Sequence, residues 1–154
     1  MRLNIEYPID REAYEFKNSL NGLDKGIKAL AAMLNRNGKG EVFFGVSKEG
    51  DVTGLKGQIG VETIKMVEER ISEVLKPAVT PTTIIEEYGG KKVIHVIVKG
   101  NDKPYAANGD YRIRIEDGNK KIDPELMAKL FYESDRTALD SIESVEQNLS
   151  FSLL

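Results

Sequence analysis

Hydrophobic and polar positions change period several times along this chain, and each change marks an element. The segment Ala13-Tyr-Glu-Phe-Lys alternates apolar and polar, which predicts a half-buried strand with Phe16 inward and Glu15 and Lys17 side by side on the opposite face. Before it, Ile5-Glu-Tyr-Pro is extended, because the residue ahead of Pro8 is pushed out of the helical region. Asn21-Gly22 ends the strand segment, and Asp24 is placed as N-cap of a helix over Lys25–Asn35, with Ile27, Leu30, Ala31 and Leu34 at helical spacing. The period then breaks at Asn35-Arg-Asn-Gly-Lys-Gly and resumes as the apolar run Glu41-Val-Phe-Phe-Gly-Val. A helix feeding directly into a buried strand is the expectation, with Gly45 marking a bulge or a close backbone approach. Lys48-Glu-Gly-Asp reads as a tight turn into a further strand, Val52–Leu55.

Gly60–Leu75 returns to helical spacing through Val61, Ile64, Val67, Ile71 and Val74, and Pro77 stops it. Thr80–Tyr88 and Lys92–Val98 are β-rich runs joined by Tyr-Gly-Gly-Lys, a hairpin signal. Asn108-Gly109 is a type I′ turn dipeptide, so Tyr105–Ala107 and Tyr111–Ile115 are expected to pair, with Tyr111, Ile113 and Ile115 on one face and Arg112 and Arg114 on the other. Asp123-Pro124 opens a last helix through Leu126, Met127, Leu130 and Phe131. The fold class is therefore α/β, in the α+β sense: a mixed sheet of about five to seven strands with about three flanking helices.

Composition narrows the chemistry. A chain of 154 residues, 40% hydrophobic, supports one domain with a real core. It has no cysteine, which excludes disulfides, a thiol nucleophile and thiolate-held zinc, and its single histidine leaves no histidine cluster for a metal. That histidine, His95, sits mid-strand and reads as structural or surface. No signal peptide or membrane span is visible at the sequence level, which places the chain in the cytoplasm. A P-loop is absent, since Asn37-Gly-Lys-Gly is followed by Glu41 and preceded by a helix, and no serine–histidine–acid set is identifiable. No cofactor is expected.

Net charge is −3, unevenly spread. Residues 133–154 carry Glu133, Asp135, Asp140, Glu143 and Glu146 against Arg136, leaving residues 1–132 close to neutral. From Asp24 to Lys48, five cations face two acids, a balance of +3 that suits a phosphate backbone if it gathers on one face and is otherwise an ordinary mixed surface. Arg112 and Arg114 divide in the same way, between phosphate contacts and mere solvation.

Five pieces in order now carry a resemblance: Glu15-Phe-Lys, a helix ending LNRNGKG, the run VFFGVSKEGDVTGL, then KPY, and the Tyr111–Arg114 hairpin strand before a final helix. Together they resemble the Schlafen-type Alba-like (AlbA_2) domain over roughly residues 10 to 132. The resemblance implies a Schlafen/Alba-like fold and DNA or RNA as partner, since bacterial and archaeal members are regarded as DNA-binding or transcriptional-regulator domains. In Schlafen nucleases an acidic triad falls, on this chain, at Asp10 and Glu15, but its third position is Lys48. The family also tends to carry glycine after the hairpin arginine, where this chain has Glu116.

Three functions stay open at the level of sequence. The first is a non-catalytic DNA-binding module of a transcriptional regulator, touching phosphates through Lys17, Arg36, Lys39, Lys48, Arg112 and Arg114. The second is a metal-dependent RNA or DNA endonuclease using Asp10 and Glu15, and the third a protein-interaction scaffold. Residues 1–132 are expected as the nucleic-acid-binding domain and 133–154 as an acidic extension. Its apolar end, Leu149-Ser-Phe-Ser-Leu-Leu, opens a further C-terminal region or packs on the partner in a homodimer.

Overall fold

A computed structural model describes residues 12–133 of the chain. The strand at Tyr14–Lys17 (β1) is followed by a 3₁₀ turn at Leu20–Gly22, the helix Leu23–Asn37 (α1) and the strand Lys39–Phe44 (β2). β1 and β2 run parallel, in register Glu15 with Val42 and Phe16 with Phe43, with α1 as the crossover between them. After the helix Val61–Val74 (α2) come Leu75–Lys76 (β3), Thr82–Tyr88 (β4), Lys91–Lys99 (β5), Ala106–Ala107 (β6), Arg112–Ile115 (β7) and Gly118–Lys121 (β8). A third helix, α3, begins at 124 and runs to the end of the described residues.

The main sheet is mixed and four-stranded, ordered β1-β2-β5-β4, with β3-β6 and β7-β8 as separate two-stranded ribbons. Alternation along β2 and β5 divides its faces. Val42 and Phe44 with Ile94, Val96 and Val98 face the helices, in a core shared with Ile27, Leu30 and Leu34 of α1 and Val67 and Ile71 of α2. Phe43 and Val93 point the other way, beneath Tyr14, Phe16 and Tyr88. The approach of α1 to β2 needs two glycines, one from each element: a Cβ on Gly26 would stand 2.7 Å from Phe44, and one on Gly40 2.6 Å from the Cβ of Met33. Gly38 ends α1 in the left-handed conformation at φ 73° and donates to the Leu34 carbonyl, so the chain turns straight into β2.

Several sequence expectations change in detail. Asp24 is not the N-cap of α1; Gly22 is, because the preceding 3₁₀ turn, itself capped by Ser19, starts the helix two residues earlier. Asp24 instead receives a bidentate pair from Arg70 of α2 at 2.9 and 2.8 Å. Val52–Leu55 is no strand: only Val52 bridges, to Val46, and Leu55 donates to Lys92 beyond it. Gly45 does make the close approach, at φ 106°, where a Cβ would meet the Lys92 carbonyl at 3.1 Å. The Asn108-Gly109 turn forms, with φ 50° and 77°, but closes only one bridge, Ala107 with Asp110. Beyond it β6 pairs with β3 and β7 with β8.

Candidate functional site

Each cation named from sequence has a definite place, and they do not form one patch. On β1, alternation puts Glu15 and Lys17 on the helix side of the sheet edge, with Lys17 Nζ 2.9 Å from Glu15 Oε2. The other oxygen of Glu15 receives Arg114 at 2.8 Å. Arg114 is 1% exposed, also donating to the Tyr14 carbonyl and to Asn119 Oδ1. This corrects the expected facing of β7: Ile113 is buried beside Arg114 while Tyr111 and Ile115 are each 38% exposed. The reason is that β7 has cover on both sides, lying against α1 and reaching β1 through Arg114, so alternation does not sort inside from outside. Arg114 cannot offer its guanidinium to a phosphate without leaving this site.

Arg112 is half-buried and held by Asp110 at 2.8 Å, an oxygen it shares with Lys28 at 3.4 Å. Those two cations hold the Asp110 carboxyl below its usual range. Arg36, in the last turn of α1, approaches Glu12 at 3.3 Å and keeps 47% of its side chain exposed. Lys48 is exposed in the turn after β2.

Lys39 is exposed at the start of β2 and stands directly opposite Lys99 of β5. Neither has a carboxylate within ion-pair distance among the described residues. Like charges directly opposite in an antiparallel ladder repel, so this pairing works against the sheet. Lys39 and Lys99, with Arg36 three residues before Lys39 in the last turn of α1, form a basic corner. Lys48 lies past the other end of β2, about 17 Å of strand away. Lys99 escaped the sequence reading because only the β2–β5 register reveals its partner.

A second cluster occupies the same face. His95 of β5 stacks on Phe43 with ring centroids 4.0 Å apart, its Nε2 is 2.6 Å from Glu41 Oε1, and its Nδ1 is 3.2 Å from Glu86 Oε2. Burial works to lower its pKa, but the hydrogen bonds and charges of Glu41 and Glu86 outweigh it and raise the value above the ordinary one.

Sequence reasoning also passed over Asn35. Its side chain is 1% exposed, donates to the Tyr105 and Arg112 carbonyls at 2.9 and 2.8 Å, and accepts from the Tyr105 amide at 2.6 Å. It ties α1 to the Lys-Pro-Tyr segment and to β7. An amide in the LNRN end of α1 looks like a solvated terminus, and nothing in its local pattern signals burial.

The nuclease reading would need these carboxylates to hold a divalent ion. Both Glu15 oxygens are taken by cations, and no group of three histidine, aspartate or glutamate side chains is gathered for a metal among the described residues. Those residues do not fit the ion; Asp10 lies outside them.

The profile of the family described as Schlafen, AlbA_2 matches residues 10–123. The chain belongs to this family. The span takes in the Glu15-Phe-Lys strand, the α1–β2 connection and the β7–β8 hairpin; the first and last meet where Arg114 reaches Glu15. Among solved structures, the DIP2311 protein from Corynebacterium diphtheriae is 19% identical, with a TM-score of 0.59 over 73% of this chain, and shares its fold. The chain spans only 22% of that protein's length. The N-terminal domain of a RecG-related protein from Nitrosomonas europaea is 17% identical over 76% of this chain and 81% of its own, with a TM-score of 0.46. No curated protein matches the chain significantly. No described helix is long and apolar enough to cross a membrane.

Proposed function

We propose that this Schlafen, AlbA_2 domain binds nucleic acid through its phosphate backbone without cutting it, as the DNA-binding module of a transcriptional regulator. The observation that carries the reading is the Lys39–Lys99 pair. Two exposed lysines held opposite one another, with Arg36 nearby and no carboxylate paired to either, are what a phosphate contact needs. Family membership adds the partner class. Arg36 and Lys48 extend the contact as outer members, whereas Lys17, Arg112 and Arg114 are engaged with acids of their own fold. The absence of cleavage is part of the proposal: two cations on Glu15 and a lysine at the third acidic position oppose a divalent ion.

The test measures binding and cleavage together, incubating the purified protein with labelled duplex DNA, single-stranded DNA and tRNA plus magnesium or manganese. Salt-sensitive binding that falls in Lys39→Glu and Lys99→Glu with substrate left intact is the expected result. Cleavage that disappears in Glu15→Gln would instead establish the nuclease. Affinity unchanged in both lysine variants would remove the basic corner.

A further inference from the structure

Glu41 lies two residues after Lys39 on the same strand and the same face, about 7 Å along it, within reach for an ordinary lysine–glutamate pair. That pair is not made. Glu41 turns to His95 instead, and Lys39 is left opposite Lys99. We propose that His95 is a positioning residue for the basic corner: in its protonated form it neutralises Glu41 and holds it away from Lys39 and Lys99, so that nucleic acid binds more tightly at lower pH. This rests on the binding reading above and adds its regulation.

The imidazole is fixed from three directions, by Phe43 stacked against its face and by one carboxylate on each ring nitrogen. Only the imidazolium can donate to both carboxylates; either neutral tautomer leaves a ring lone pair facing a carboxylate oxygen. Loss of the proton therefore leaves Glu41 and Glu86 bracketing a neutral ring with one donor between them. A Glu41 released from that contact has Lys39 as its nearest alternative along the strand, and a Lys39 paired to Glu41 is withdrawn from phosphate.

The other groups facing this ring come from β2, β4, β1 and β5. Glu41 comes from β2, and Glu86 and Tyr88 from β4, with the Tyr88 hydroxyl donating to Glu86 at 2.9 Å. Burial and Glu86 push the Tyr88 phenol up to about 12, so it stays protonated. β1 contributes the rings of Tyr14 and Phe16. Lys91 and Lys99 stand at the two ends of β5. His95 is the single histidine of the chain, the side-chain type whose ordinary titration range spans neutral pH.

The experiment measures affinity for a short labelled DNA duplex at fixed ionic strength, at about pH 6 and about pH 8, the window in which histidine titrates. Wild type is expected to bind about fivefold more tightly at the lower pH, a coupling of ordinary size between two sites. His95→Gln should bind without that dependence. Glu41→Gln should bind at the higher pH as tightly as wild type does at the lower, because the competing charge is gone. By reciprocity, duplex must raise the titration midpoint of His95, which NMR follows without overlap because it is the single histidine in the chain. A pH dependence that persists in both variants, or a midpoint that DNA leaves unmoved while binding is intact, overturns the coupling alone. Wild type that binds no nucleic acid at either pH removes the binding reading and the coupling together.

Discussion

At the scale of single residues, the side chains that matter most to the fold are polar ones buried by particular partners. Asn35 satisfies two carbonyls and one amide from segments 70 and 77 residues away in sequence. Replacing it with leucine keeps the volume but leaves those groups unpaired, a loss of about 3 kcal/mol at one or more per buried group. Urea unfolding monitored by circular dichroism checks it, and a loss under 1 kcal/mol would mean that the segment re-pairs elsewhere. Arg114 makes the same kind of claim in an ionic form. Arg114→Ala leaves Glu15 and the Tyr14 carbonyl without their buried partner and is expected to cost about 3 kcal/mol, so this variant reports on folding and not on phosphate contact. Glu116 is the opposite case. It occupies the first loop position of the β7–β8 hairpin at φ 57°, a conformation that glycine adopts freely and a side chain resists. Its amide, which donates to Glu12, survives substitution, so Glu116→Gly should stabilise the domain by about 1 kcal/mol. A lower urea midpoint in that variant would refute it.

At the scale of elements, legibility followed the cleanliness of the period. β1, α2 and the β4–β5 hairpin were readable from a period of 2 or 3.6, α1 from apolar residues at helical spacing, and β2, covered on both faces, from its unbroken apolar run. β7 was misread because both of its sides are covered: Arg114 occupies an interior place that the alternating pattern assigns to solvent. The Asn108-Gly109 turn was readable as a turn, since positive φ at both positions demands those residues, but a turn fixes only a local reversal. Which strand then pairs with β6 is decided by β3, some 30 residues earlier, and no local signal carries that. The same limit hid Lys99 and the Glu41–His95–Glu86 row, since both exist only through register. That row has its own consequence for stability. His95 has a folded pKa raised above its unfolded value of 6.5, so its contribution is fully present below that value and is lost as pH rises through the folded one. Wild type should therefore lose thermal stability between about pH 6 and about pH 8, with a smaller loss in His95→Gln. Parallel melting curves for the two proteins would refute this. The α1–β2 packing gives a sharper test of geometry: Gly40→Ala forces its Cβ against Met33 and should cost about 2 kcal/mol.

At the scale of the whole molecule, net charge is a poor guide to the partner. A chain at −3 with a pI near 5.4 would be set aside as a nucleic-acid binder, yet charge acts where it is placed. Most cations singled out from sequence are already answered by acids of the same fold, and a cation paired in this way contributes little outward field. Apart from Lys48 past the far end of β2, what remains is the corner formed by Lys39 and Lys99, whose mutual repulsion is relieved by an anion between them. Counterion release turns this into a number. Each phosphate neutralised contributes about −0.9 to the slope of log K against log salt on duplex DNA. If both lysines engage phosphates, the double variant Lys39→Ala, Lys99→Ala should flatten the wild-type slope by about 1.8, two contacts' worth. Lys28→Ala, whose cation is answered by Asp110 on a different part of the domain, should leave the slope within error of wild type. The comparison separates a local contact from a diffuse electrostatic attraction, because a diffuse field would respond alike to removal of any exposed lysine. Equal changes in the two variants, each in proportion to the charge removed, would dissolve the basic corner as a site.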